Sequence, residues 1–237
     1  AVALVADDSA GSEVPPELVA DPDHLGQVLE LLRKQGGVDF RRYKRATVLR
    51  RIERRMAITQ VQSFEDYAKL LRASNREVLA LHRELLINVT RFFRDTEAFD
   101  VLARDIIPAI IAETPASDAI RVWTPGCSTG EEAYSIAMLL DEQLEASGSV
   151  REFKVFATDV DREALEVASA GSYPEGIAAD LSPERLRRYF SQQPEGYRVA
   201  RNLRNRVVFA HHNLGKDPPF TRVSLVSCRN LLIYFEP

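Results

Sequence analysis

From about residue 95 onward the chain alternates strand-like and helix-like stretches, and no other feature narrows its possible folds as far. The helical run "TEAFDVLARDIIPAIIAE" leads to the strand-like "AIRVWT" and a small polar loop. Then come the helix "EEAYSIAMLLDEQLEA", a second strand "FKVFATD", and the helix "DREALEVASAG", which Gly171 stops. Strands joined through helices pair in parallel, because each crossover returns the chain to the edge it started from. "SPERLRRYF" predicts a short helix with a Ser cap and Glu184 in its first turn. Around Tyr197–Val199 the pattern predicts a small antiparallel insertion, spanning about residues 172–206, and around Val207–Phe209 a return to the main sheet. "VSLVSC" is the last readable strand. Four parallel strands make a thin sheet with an exposed edge, so a further helix and closing strands are expected beyond "RNLLIYFEP", with the chain truncated at its C-terminus. The fold class is therefore α/β: an N-terminal helical domain, then a Rossmann-like doubly wound parallel sheet with a small antiparallel β insertion.

The earlier part has a different texture. Residues 1–23 are acidic and rich in Pro and Ala, and read as a linker or tail; they are too short and too acidic for a signal peptide. Residues 24–94 read as an all-α domain, with the α/β domain at 95–237. "HLGQVLELLRK" carries a helical apolar stripe that Gly36-Gly37 stops. In "FRRYKRATVLRRIERRM", Val48, Leu49, Ile52 and Met56 share one face. "SFEDYAKLLRAS" starts with a capping pattern, Ser63 with Asp66 three residues on. "NREVLALHRELLINV" predicts a fourth helix, and no strand is expected in this part.

A net charge of −4 over 237 residues gives no argument for nucleic acid, and no nucleic-acid partner is expected. No apolar run approaches the roughly 18 residues of a membrane span, so no direct membrane insertion is expected and the cytoplasm is the default setting. Two cysteines, Cys127 and Cys228, and four scattered histidines give neither a disulfide framework nor metal-ligand spacing. No metal is expected, and both cysteines read most simply as small buried residues.

The loop in "RVWTPGCSTGEEAYSIA" carries the chemistry. A strand, a turn and a helix N-terminus are the parts of a nucleotide site, yet the glycine pattern that brings backbone amides to a pyrophosphate is missing. Glu131 and Glu132 stand where phosphate oxygens would go. They suit the helix dipole but repel phosphate, so a neutral or cationic ligand fits. The alternative is a helix capped by Ser128 or Thr129 with favourable first-turn acids. The second strand ends in "FATDVD", where a carboxylate takes ribose hydroxyls in nucleoside-binding α/β folds. Asp159 is the candidate; Asp161 is second, or caps the next helix.

In order along the chain stand "YKRATVLRRIERRM", "NVTRFFRD", "VWTPGCSTGEEAYSIAMLL", "FATDVDREALEVASAGSYP", "RVVFAHHNL" and "SLVSCRNLLIYF". This set resembles the chemotaxis receptor methyltransferases, the CheR family, over about residues 38–237. The acidic, Pro-containing segment in front resembles members joined to an upstream esterase domain. The resemblance implies a sheet of the class I methyltransferase type and S-adenosyl-L-methionine as cofactor, leaving S-adenosyl-L-homocysteine as product. By the same resemblance Asn88, Thr90 and Arg94 contact the cofactor, Glu132 faces its methionine part and Asp159 holds the ribose. Asn213 and Leu214 border the adenine, Arg229 and Asn230 lie at the methionine end, and Tyr234 sits near the transferable methyl.

The implied reaction is O-methylation of glutamate side chains on chemoreceptors. A glutamate carboxylate is already ionised at neutral pH, so it needs no general base, only alignment and loss of water. Arg94 and Tyr234 are the expected catalytic pair, orienting the carboxylate by hydrogen bonds; for Arg94 the alternative is an ion pair with Asp95 or Glu97. Between Arg41 and Arg55 there are eight Arg or Lys and one Glu. Such a run reads as a solvated face, a nucleic-acid footprint or, through the resemblance, a surface for the receptor's Glu-rich methylation helices. Arg50, Arg51, Arg54 and Arg55 are the expected substrate contacts. Some family members tether a receptor's C-terminal peptide to the β insertion; the short link "SQQPEG" predicts no such pentapeptide tether. Two other readings stay open: a catalytically silent cofactor-binding sensor or scaffold in a signalling hybrid, and a nucleic-acid methyltransferase.

Overall fold

The computed structural model describes residues 2–3 and 22–236. They form two compact units: residues 88–229 with the first strand, and the N-terminal helices with the closing segment from residue 230.

The helical unit contains α1 (Pro22–Gly36), a 3-10 turn (Phe40–Arg42), α2 (Arg45–Thr59), α3 (Phe64–Ala73) and α4 (Asn75–Leu85). Each helix buries the face its apolar spacing predicts: Val28 and Leu32, Val48 and Ile52, Tyr67 and Leu71, Val78 and Leu81. Ser63 caps α3 by accepting from the Asp66 backbone at 3.1 Å, as its spacing predicts, and Ser74 caps α4 through Glu77 at 3.3 Å. The closing segment joins this unit by backbone bonds. Lys44 N donates to Tyr234 O at 2.7 Å and Glu236 N to Arg42 O at 2.8 Å, with Tyr43 packed on Phe235.

The α/β unit starts with β1 (Val2–Ala3) and resumes after the helical unit with α5 (Thr96–Val101), a π-helical turn (Leu102–Ile106) and α6 (Ile107–Glu113). Next come β2 (Ile120–Pro125), α7 (Glu131–Ala146), β3 (Phe153–Asp159), α8 (Arg162–Ala170), β4 (Ser172–Tyr173), α9 (Pro183–Tyr189) and β5 (Phe190–Gln193). The unit ends with β6 (Gly196–Val199), α10 (Arg201–Arg204), β7 (Val207–His211) and β8 (Leu225–Val226). The main sheet has the order β1-β8-β2-β3-β7, and every pair in it is parallel. Val2 and Ala3 lie in the stretch that composition marks as a linker; they nonetheless pair with Leu225 and Val226 and extend the sheet.

The four predicted strands are β2, β3, β7 and β8, and their order creates the site. From β2 the chain winds outward through β3 to β7, then returns to the opposite side of β2 as β8. At that reversal the connections leave the strand ends in opposite directions and open a crevice. Helix α7, buried at Ala133, Ile136, Ala137 and Leu140, backs it. The insertion is a separate antiparallel sheet of order β4-β6-β5. Its hairpin demands Gly196, because a Cβ there would stand 2.1 Å from Tyr173 O.

The boundary between the units falls before Asn88 rather than near residue 94. Phe92 and Phe93 belong to the α/β core: Phe92 packs edge-on against Tyr173 and Phe190, and Phe93 against Phe99. Two large buried rings commit residues 88–94 to the sheet unit.

Candidate functional site

After β2 the backbone turns through three left-handed residues, Gly126 (φ 69°), Ser128 (φ 49°) and Gly130 (φ 94°). A Cβ on Gly130 would meet Ala168 Cβ at 2.9 Å and the Phe209 ring at 3.1 Å, so only glycine brings the loop this close to α8 and β7. Gly130 is also the N-cap of α7, which has no side-chain cap. The capping role considered for Ser128 or Thr129 is therefore absent, because both hydroxyls are engaged elsewhere: Ser128 Oγ donates to Asn88 Oδ1 at 3.0 Å and Thr129 Oγ1 to Glu131 at 2.6 Å.

Asp159 reaches back to this loop from the end of β3. Its carboxylate accepts from Ser128 N at 2.7 Å and Asp161 N at 2.9 Å. Part of its acceptor capacity remains for ligand hydroxyls. Asp161 is the cap of α8, accepting from Glu163 N and Ala164 N, and it also receives Asn88 Nδ2 at 2.7 Å. Asn88 thus ties the two loops together.

Glu132 stands in the first turn of α7 with a side chain 19 % exposed. It accepts from Ser227 Oγ at 2.7 Å and lies 3.7 Å from Arg229 Nη1. Arg229 is held by Arg94 O and Asp95 Oδ2, both at 2.8 Å, and stacks over Phe99. Arg94 Nη1 donates to Val89 O at 2.7 Å, while its neighbour Asp95 serves Arg229. The loop carrying Arg94 is held onto α7 by Phe93 N, which donates to Ser135 Oγ at 3.1 Å. Phe93 and Asp95 are both left-handed (φ 50° and 58°), so with Ser128 three non-glycine residues around this crevice carry backbone strain. Thr90 is half-buried on the same loop.

Asn213 and Leu214 follow β7 at the same end of the sheet, where Asn213 N is fixed by Asp217 at 2.8 Å and its Oδ1 accepts from Gly215 N at 3.1 Å. Asn230 and Tyr234 belong to the closing segment of the helical unit. The four arginines expected to meet substrate divide. Arg55 grips Glu77 at 3.0 and 2.7 Å and Arg51 binds Glu84 at 3.0 Å, so both serve the bundle. Arg50 is exposed, and Arg54, 63 % exposed, touches Glu84 from outside.

Burial raises the Glu132 and Asp159 carboxyls above the usual carboxylate range. Ser227, Arg229 and Arg94 oppose the rise for Glu132, as the Asp161 and Ser128 amides do for Asp159. Glu131 is raised by the same cause. Three desolvated acids disfavour phosphate and favour a ligand bearing hydroxyls and positive charge. Arg229 Nε is buried without a partner among the described residues. A hydroxyl acceptor and an ammonium partner together fit a nucleoside that carries positive charge. No cluster of three or more metal-ligating side chains occurs among the described residues. Ser227 has no marker in the sequence, and Asp95 and Ser128 figure there only as an ion-pair alternative and a cap; the neighbours they acquire on folding give them these contacts.

The profile described as "CheR methyltransferase, SAM binding domain" matches residues 88–237, and "CheR methyltransferase, all-alpha domain" matches residues 23–86. The chain is 47% identical over 213 residues to a Rhodobacter capsulatus protein named "Uncharacterized 104.1 kDa protein in hypE 3'region", covering 90% of this chain and 22% of that protein. It is 33% identical over 235 residues to the chemotaxis protein methyltransferase of Escherichia coli (strain K12), covering 94% and 78%. Identity is 30% over 221 residues with the chemotaxis protein methyltransferase of Borreliella burgdorferi, covering 90% and 78%. The chain thus spans less than a quarter of the first protein and about four fifths of the other two.

Proposed function

This chain belongs to the CheR methyltransferase family and uses S-adenosylmethionine, and from that premise we propose that it methylates glutamate side chains on the cytoplasmic helices of chemoreceptors. The observation that carries the proposal is the placement of Asp159 and Glu132 on either side of one loop at the sheet's reversal point, each desolvated and each with acceptor capacity left. In this reading Asp159 takes the ribose hydroxyls and Glu132 the ammonium. Asn88 and Thr90 line the loop, and Asn213 and Leu214 border the base. Arg229 stands at the methionine end by the family resemblance.

The bound cofactor supplies an activated methyl group. The protein's own residues bind, orient and exclude water. A substrate glutamate arrives as a carboxylate, so no residue has to remove a proton. Arg94 orients the incoming carboxylate, and the roles of Tyr234 and Asn230 rest on the family resemblance. Arg50 and Arg54 present exposed positive charge to an acidic helix, which speeds and orients the encounter; Arg51 and Arg55 support them from within the bundle. The reading places the reaction in the cytoplasm without a peptide tether. Among the described residues no helix is long and apolar enough to cross a membrane.

The test is incubation of the protein with labelled S-adenosylmethionine and receptor cytoplasmic fragments, scored as base-labile methyl transfer. Transfer is expected, and Asp159→Ala should lose it together with cofactor binding. Binding without transfer to any receptor fragment would leave a silent sensor, and transfer to nucleic acid instead would sink the proposal.

A further inference from the structure

Ser227 and Asp95 border the surroundings of Glu132, Ser227 directly and Asp95 through Arg229. Ser227 is buried at 8 % exposure, and its own N–H donates to Trp123 O at 2.9 Å. That bond sets the residue beside β2, and its hydroxyl donates to Glu132 Oε1 at 2.7 Å. Asp95 acts one step away. Arg229 stands 3.7 Å from Glu132 Oε2, beyond the 2.7–2.9 Å or so of a charge-assisted hydrogen bond. Asp95 and the Arg94 carbonyl hold it there at 2.8 Å. An arginine free to close on Glu132 would neutralise the carboxylate that a cationic ligand needs.

We propose that Ser227 and Asp95 are positioning residues that keep Glu132 ready for a cation, Ser227 by fixing Oε1 and Asp95 by holding Arg229 off Oε2. The proposal rests on the reading that Glu132 meets the cofactor's ammonium. The groups acting on this carboxyl are Ser227 and Arg229 from the segment after β8, and Arg94 and Asp95 from the loop before α5. Burial raises the thiols of Cys228, beside Ser227, and of Cys127 in the loop after β2; the Glu132 charge adds to the rise at Cys228 and, after Asp159, at Cys127. The two positioning residues therefore pull in opposite directions. Losing the Ser227 hydroxyl removes a donor to the ionised form. Losing the Asp95 charge removes a repulsion and releases a cation towards Glu132.

The experiment is a carboxyl-carbon NMR titration of the full chain without ligand, with the Glu132 signal assigned by Glu132→Gln, paired with calorimetry of S-adenosylhomocysteine binding. Ser227→Ala should raise the Glu132 pKa and Asp95→Asn should lower it, while both weaken binding by about tenfold. Asparagine tolerates the left-handed backbone at 95, and Ser227→Thr should keep the parental titration. A Glu132 signal unmoved in Ser227→Ala, or moved the same way in both variants, overturns the proposal. Failure of the cofactor reading has a different signature: the parent chain itself binds no S-adenosylhomocysteine, whereas the ligand-free titrations still decide between the two-sided arrangement and its absence.

Discussion

Ser128 and Asn88, forty residues apart, share a hydrogen bond of 3.0 Å that runs from the serine hydroxyl to the amide oxygen. The Asn88 amide nitrogen continues to Asp161 at 2.7 Å. One side chain thereby sets the spacing of the loops that follow β2 and β3. Asn88→Ala should weaken S-adenosylhomocysteine binding by about tenfold and lower stability by only about 1 kcal/mol, because Asn88 is exposed and water replaces part of what is lost. Calorimetry and urea unfolding on the same variant separate the two effects.

Gly130→Ala should damage the fold itself. Its φ of 94° and a Cβ contact of 2.9 Å with Ala168 leave no relaxed position for a methyl group. A loss of about 2 kcal/mol or more is expected in urea unfolding. Gly148, also left-handed but with open space around it, serves as the control and should lose less on the same change.

Glu132→Gln should exchange binding for stability, with a defined pH dependence. Burial raises the Glu132 carboxyl in the folded state. The unfolded chain therefore ionises first, near pH 4.3 or so, and folded stability falls as pH climbs from there through the raised value. The glutamine variant escapes that loss. Its melting temperature should exceed the parent's at neutral pH and converge with it below about pH 4, while cofactor binding is lost. A parent curve lying above the variant's at pH 7 would contradict the sign.

The arginines of α2 should separate into two phenotypes. Glu77 accepts from Arg55 and from the Tyr67 hydroxyl at 2.8 Å, and the Arg55–Glu77 side chains are 17 % and 10 % exposed. Glu77→Ala should cost about 2 kcal/mol, since two donors lose their acceptor. Arg50→Glu should leave stability within about 0.5 kcal/mol but lower kcat/KM for receptor fragments. That defect should shrink as salt is raised, because screening removes a long-range attraction.

Legibility followed the range of the forces involved. The Ser63 cap and the apolar faces of α1 to α4 depend on neighbours three or four residues away, and they stand where the spacing puts them. The alternative of a Ser128 or Thr129 cap on α7 falls away only in the folded chain, because both are good capping residues in isolation and folding supplies Asn88 and Glu131 as competing partners. The four arginines look alike in the sequence, and Glu77 and Glu84 on another helix separate them.

By itself the sequence determined the parallel α/β class, the loop that rejects phosphate, and Asp159 at the end of the second strand. These rest on periodicity, local turn chemistry and the sign of nearby charges, all carried within short stretches. Only the tertiary structure decided that β8 returns beside β2, bringing Ser227 and Arg229 to Glu132 across about a hundred residues of chain. Strand order is settled by how helices and loops pack on the finished sheet, and no local pattern encodes which hydroxyl will stand 2.7 Å from which carboxylate.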